Sequence, residues 1–440
     1  MRRLLTGPLW YRRLELNTKR IPWLVAARTE WVATCAWGLA GVMVVMAIVV
    51  LLMPLHMERG EAVSVRVRVA EARSAMVVEH LGPIAARVGR AREVMLVAPI
   101  EIRGGLEMVA RDASGREVRG RGPIEFRSVM GSTLRSDGRV LGAEIVCVWR
   151  EGEVFDVVRP VELERYVAGV LGGELFGHWA DACFEAQAIC ARSYVVHEMG
   201  RAIERHYDVN DDQRHQVFAG GEPLEKATRA AERTRGLVLT WEGDVLRSYF
   251  ASACGGRAAS AAMVWPTRGR LAFNAAEPLG GHSRAHACDD APLYRWSRRR
   301  GRQEVSNRVR AWAAAVGHAA RGMGSIVRVE IDEVSPSGRP GTYVVVDDRH
   351  GRYRFLADDL RVAMNDGRPM PLSAADRLPS NDFEVEVLGD RVTIRGRGFG
   401  HGVGLCQYCA AQWAREGYSA LDMLGAFFAG ARLGRVEDVR

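Results

Sequence analysis

A carboxylate set among apolar neighbours beside a helix break can serve as a general acid. The stretch 161–196, VELERYVAGVLGGELFGHWADACFEAQAICARSYVV, contains one. Leu163, Tyr166, Val167, Val170 and Leu171 recur at helical spacing and give a first helix one apolar face. Gly172 and Gly173 are expected to end it. Glu174 follows at once, beside Leu175, Phe176 and Trp179. Apolar company disfavours the charged form of a carboxyl, and a carboxyl still protonated near neutral pH can deliver a proton to a leaving group. The plain alternative is a solvated glutamate at a helix end. Glu162 and Glu164 are poorer candidates, because they lie in the first turn, where acidic residues complement the helix dipole. A second helix is expected over about 179–204, carrying Arg192, which could face back toward the break.

Two further stretches could supply groups around that acid. Residues 237–241 and 245–252 read as strands joined by Glu242-Gly243-Asp244, a credible hairpin turn. The second runs into SACGGR, where Ser252 offers a hydroxyl and Gly255-Gly256 would let backbone amides approach a ligand. An ordinary turn is the competing reading. Residues 396–410, GRGFGHGVGLCQYCA, leave few side chains besides Arg397, Phe399, His401 and Val403. Such a loop either packs tightly or makes room for a bulky ligand, and its spacing is not that of a phosphate loop. His401 is a candidate partner for substrate or for Glu174, and Gln407 opens a final helical region.

Four blocks stand in order over 161–427: GVLGGEL with AQAICARSY, then YDVNDDQRHQVFAGG, then TRGLVLTWEGDVLRSYFASACGGR, then GRGFGHGVGLCQYCAAQWAREGY. They resemble the sporulation stage II protein D family (SpoIID/LytB), whose usual first block is GVV-x-x-EM followed by AQAVAARTY. The resemblance implies a cell-wall protein. For the best-understood members it implies a lytic transglycosylase acting on peptidoglycan glycan strands, with Glu174 at the position of the catalytic glutamate. On that reading Glu174 protonates the oxygen between N-acetylmuramic acid and N-acetylglucosamine, and the muramyl 6-hydroxyl attacks the anomeric carbon. One carboxylate then suffices. A hydrolase with paired carboxylates needs a second acid, such as Asp208 or Asp212. Arg192, Tyr194, Ser252, Gly255, Gly256, His401 and Gln407 are the expected substrate contacts, with no cofactor. Some relatives carry an amidase-enhancer label, so a non-catalytic wall protein that activates a partner amidase is the second reading. A plain anchor between membrane and wall is the third. In some relatives the loop at 207–221 holds cysteines and histidines suited to zinc. Here Asn210, Arg214 and His215 stand there without a cysteine, so no metal is expected.

The elements that must carry these residues read as an α+β fold, with a β-rich core around central helices. Residues 1–31 form a basic tail, and 32–53 contain no charged residue. That length spans a bilayer, which needs about 20 residues. The preceding positive charge puts the N-terminus in the cytoplasm. The expectation is a single-pass membrane protein, its helix at 32–55, with all that follows outside the cytoplasm. Residues 57–160 alternate apolar and polar in short runs and read as a β-rich region. Arg66 and Arg68 fall on one face of a strand, expected to be solvated. Residues 161–440 form the region of the four blocks, with an insertion or lid at about 257–325 and, beyond it, strands, a short helix at 358–364 and a hairpin around Gly389-Asp390. A net charge of +8 suits approach to an anionic wall. Nucleic acid is not expected as a partner of an extracytoplasmic chain. Of eight cysteines, Cys35 lies in the span. Cys254 and Cys288 could pair as a disulfide, or ligate a structural metal with Cys406. Cys406 and Cys409 form a C-x-x-C without the pattern of a thioredoxin-like unit.

Overall fold

The computed structural model describes residues 63–438, apart from 212–215, 217, 219–220 and 282–286. The expected tail and membrane span lie outside the described residues. No helix among the described residues is long and apolar enough to cross a membrane.

The chain opens into a seven-stranded sheet in the order Val209–Asn210, Ser64–Arg73, Val154–Glu162, Glu144–Arg150, Ile124–Ser128, Pro83–Val88, Val94–Val97. Its first pair is parallel, through Val67↔Val209 and Arg68↔Asn210. The other pairs are antiparallel. Alternation in SVRVRV turns Val65 and Val67 fully inward. The opposite face is not solvated as expected. Arg68 is buried against Asp156 at 3.1 Å and Asn210 at 2.8 Å, with its guanidinium 4.1 Å from the centre of the Tyr207 ring. Arg66 pairs with Asp208 at 2.6 Å. Tyr207, Asp208 and Asn210 arrive with the edge strand Val209–Asn210, which pattern reading merges into a polar loop, while Asp156 comes from Val154–Glu162.

Helix α1 (Leu163–Glu174) leaves the sheet directly, capped by the Glu162 side chain, which accepts from the Arg165 backbone N–H. Gly172 and Gly173 do not end it. They lie inside its last turn, and the Leu175 N–H still reaches the Leu171 carbonyl at 3.0 Å. The break comes where Leu175 turns extended. Helices α2 (Asp181–Arg201) and α3 (Glu225–Arg233) follow. The hairpin at Leu237–Trp241 has the expected turn, with Glu242 and Gly243 both at positive φ and Trp241 opposite Asp244. Its second strand stops at Val245. The chain then re-pairs as Phe250–Ala251 beside Leu405–Cys406, in parallel.

After α4 (Ala261–Val264) comes a region with its own core. Two three-stranded sheets combine Trp296–Gly301, Arg391–Gly396 and Phe383–Leu388 with Ile326–Val334, Pro340–Asp347 and Arg352–Leu356. Helices α5 (Arg302–Val316) and α6 (Ala357–Met364) close over them, burying Val305, Val309, Tyr343, Phe355 and Leu360. This core extends to Ile394, well past the insertion expected at 257–325. The strand at Trp296–Gly301 escapes pattern reading because WSRRRG lacks apolar alternation; Arg300 is buried by donating to the carbonyls of Met364 and Asp376. Helices α7 (Gln407–Arg415) and α8 (Ala420–Phe427) then rejoin the first core, where Cys409, Trp413 and Phe427 lie in one apolar cluster with Val65, Tyr166 and Ile189. The chain is thus a mixed α+β fold.

Candidate active site

Glu174 is the last residue of α1 and is half-buried. Gln407, the first residue of α7, donates from Nε2 to Glu174 Oε2 at 3.2 Å. Gln407 is only 3 % exposed, so its amide is fixed before any ligand arrives. Its place follows from the backbone around it. The Leu405 N–H bonds the Tyr249 carbonyl at 3.0 Å, and the Tyr408 N–H bonds the Ser252 carbonyl at 3.1 Å. The turn after Ser252, the end of the Gly-rich loop and the acid are therefore one assembly. Beside it, Phe176, Trp179 and Tyr408 pack edge to face, with ring centres 5.2 Å (Phe176–Trp179) and 5.1 Å (Trp179–Tyr408) apart. Trp179 is buried while Phe176 is 53 % exposed, so this aromatic edge opens to solvent. Phe176 and Trp179 are legible as neighbours of Glu174 in sequence. Tyr408 and the Gln407–Glu174 contact are not, because they join opposite ends of the family-like region.

The other candidates separate on geometry. Arg192 is held inside the protein. It is fully buried, paired with Glu164 and donating to Thr234 and to the carbonyls of Ala231 and Leu237. Glu164, read from the sequence as a first-turn acid that complements the helix dipole, is 4 % exposed and also accepts from the Gly236 N–H. Tyr194 is buried, its hydroxyl accepting from Arg247 at 2.8 Å. Ser252 is half-buried, and its carbonyl holds α7. Gly255, at φ +67°, is required by close approach: a Cβ there would lie 2.6 Å from the Gly398 nitrogen. Gly256 faces Tyr294 in the same way, with its Cβ position 2.9 Å from the hydroxyl. Gly-rich loop and SACGGR turn are zipped together through paired hydrogen bonds between Ala253 and Phe399. Asp208, one of the two conceivable second acids, is 2 % exposed and held by Arg66. Asp212 lies outside the described residues, as do Arg214 and His215 of the loop read as lacking a zinc site.

His401 is bound to the protein's own backbone. Its Nδ1 accepts from the Val403 N–H at 3.0 Å, which places the ring proton on Nε2. Trp265 and Tyr249 pack edge-on against it, with ring centres 4.9 and 5.8 Å away. Burial pushes its pKa down to about 4, against the pull of Asp358. Its unfolded value is about 6.5. A histidine held neutral by folding contributes stability above the unfolded pKa, and that stability drains away as pH falls from about 6.5 toward 4. The wild-type chain should therefore lose about 3 kcal/mol more than His401→Asn between pH 7 and pH 4. Urea midpoints at the two pH values measure this; parallel profiles would show that His401 titrates as if unfolded.

Residues 151–241, which contain α1, Glu174 and α2, match the family model described as stage II sporulation protein, SpoIID. Residues 282–404, which contain the second core, match a domain of unknown function, DUF8618. An uncharacterised protein of Brachyspira hyodysenteriae is 27 % identical over 279 residues, covering 62 % of this chain and 67 % of its own. The stage II sporulation protein D of Bacillus subtilis is 25 % identical over 301 residues, covering 64 % and 76 %. The amidase enhancer of the same species is 23 % identical over 297 residues, covering 60 % of this chain but 40 % of its own length. The match over 151–241, which holds Glu174 and α2, together with these relatives places that region of the chain in the stage II sporulation protein D (SpoIID) family.

Proposed function

We propose that the chain is a lytic transglycosylase of peptidoglycan glycan strands, anchored by 32–55 and acting outside the cytoplasm, with Glu174 as its acid and base. The observation that carries this reading is the half-buried Glu174 carboxyl, held by the Gln407 amide beside an open aromatic edge. Glu174 gives its proton to the glycosidic oxygen as that bond to the muramyl anomeric carbon breaks. The resulting carboxylate then takes the proton of the muramyl 6-hydroxyl as its oxygen closes on the same carbon. The products are a 1,6-anhydro end and a free sugar hydroxyl. The nucleophile belongs to the substrate, so the reaction needs no paired carboxylate and no cofactor. Phe176, with Trp179 and Tyr408 behind it, offers an apolar surface for a sugar face.

The similarity to an amidase enhancer favours one alternative, a wall-bound activator of a partner amidase. Mass analysis of purified sacculi incubated with the full chain separates the two. Anhydro-muropeptides are the expected product. Reducing ends would indicate hydrolysis. Intact glycan, together with faster cleavage by an added amidase, would replace the transglycosylase reading with the activator.

A further inference from the structure

Four thiols from three separate segments meet next to α7. Cys254 follows the strand Phe250–Ala251, Cys288 precedes the second core, and Cys406 and Cys409 flank the start of α7. All four are buried. Their sulfurs lie within 4.8 Å of one another. Cys254 Sγ is 3.5 Å from Cys288 Sγ and 3.9 Å from Cys409 Sγ. A tetrahedral zinc ion with Zn–S bonds of about 2.3 Å sets its sulfurs about 3.8 Å apart. The space enclosed suits one atom.

The surroundings suit thiolates. The Cys254 N–H points at Cys406 Sγ at 3.3 Å, and the Ala287 N–H points at Cys409 Sγ at 3.4 Å. Backbone donors of this kind orient and stabilise metal-bound sulfur. Cys406 is the N-cap of α7, where the helix dipole favours negative charge. The buried guanidinium of Arg339, bonded to the Cys254 carbonyl at 3.0 Å, adds positive charge beside the ligand set.

We infer that Cys254, Cys288, Cys406 and Cys409 bind a single structural zinc ion. This takes up the metal alternative read from the sequence for Cys254, Cys288 and Cys406 and adds Cys409; the expectation of no metal rests on the loop at 207–221, a different part of the chain. The site has four protein ligands and no open position, which makes it structural. It ties the SACGGR turn, the segment leading into the second core and the first turn of α7 to one point. Gln407, which holds Glu174, sits between two of the ligands. The inference does not rest on any reading of the reaction, because metal content is measured without substrate.

The test is elemental analysis of the full chain purified under reducing conditions without chelator, followed by cobalt reconstitution of the chelated protein. One zinc per chain is expected. The cobalt form should show the intense visible bands and near-ultraviolet sulfur-to-cobalt charge transfer of a tetrahedral thiolate site. Cys406→Ser and Cys288→Ser should abolish that four-sulfur spectrum, while Cys183→Ala should keep it. Chelated wild-type protein should melt at lower temperature than the zinc form. Substoichiometric metal with no charge-transfer band in the wild-type chain would overturn the site. So would a mass showing two disulfides among these four cysteines in metal-replete protein. Neither measurement needs a variant to fold.

Discussion

Glu174→Gln is expected to lower the rate of anhydro-muropeptide release by about 10³-fold, within the range of about 10²–10⁴ that a positioned general acid supplies. The substitution keeps the shape of the side chain and removes its acidic proton. Gln407 can still donate to the amide oxygen that replaces Glu174 Oε2, so the contact at 3.2 Å survives. Glu174 is half-buried at the end of α1, not in the core, and folding should change by less than about 1 kcal/mol. The loss should therefore appear in kcat with little change in glycan binding, because the missing interaction exists only in the transition state. A variant that releases product at the wild-type rate would remove Glu174 from the chemistry. A wild-type chain that releases none would leave the activator reading in its place.

The second large effect concerns stability. Arg192→Met should destabilise the chain by about 3–5 kcal/mol, the cost of stranding a buried charge. The charge stranded is Glu164, which is 4 % exposed and ion-paired with Arg192. Arg192 also donates to the carbonyls of Ala231 and Leu237, at 3.1 Å each, and so ties α1, α2 and the end of α3 to the next strand. Glu164→Gln should cost less, because its amide oxygen can still accept from the guanidinium. Denaturant midpoints of the two single variants and the double variant measure the coupling. If Arg192→Met kept its wild-type midpoint but bound glycan more weakly, Arg192 would return to the list of substrate contacts.

Sequence alone singled out Glu174 as the candidate acid and read the local frame around it. The helical spacing from Leu163 to Leu171, the aromatic neighbours of Glu174, the turn at Glu242-Gly243 and the hairpin around Gly389 all depend on residues a few positions apart. Propensity and period act over that range. The same local reading ended α1 two residues early, because glycine weakens a helix without forbidding one whose apolar face is buried. It also set Arg68 in water, because a charged residue in a short pattern carries no sign of the partner that will cover it. Only the tertiary structure decided that Asp156 and Asn210 cover Arg68, that Arg192 belongs to Glu164, that Gln407 holds Glu174, and that four cysteines converge beside them. Each of these contacts joins segments far apart in the chain. Their pairing is set by how sheet and helices pack around a shared core, and packing of that kind leaves no periodic trace in the residues that meet.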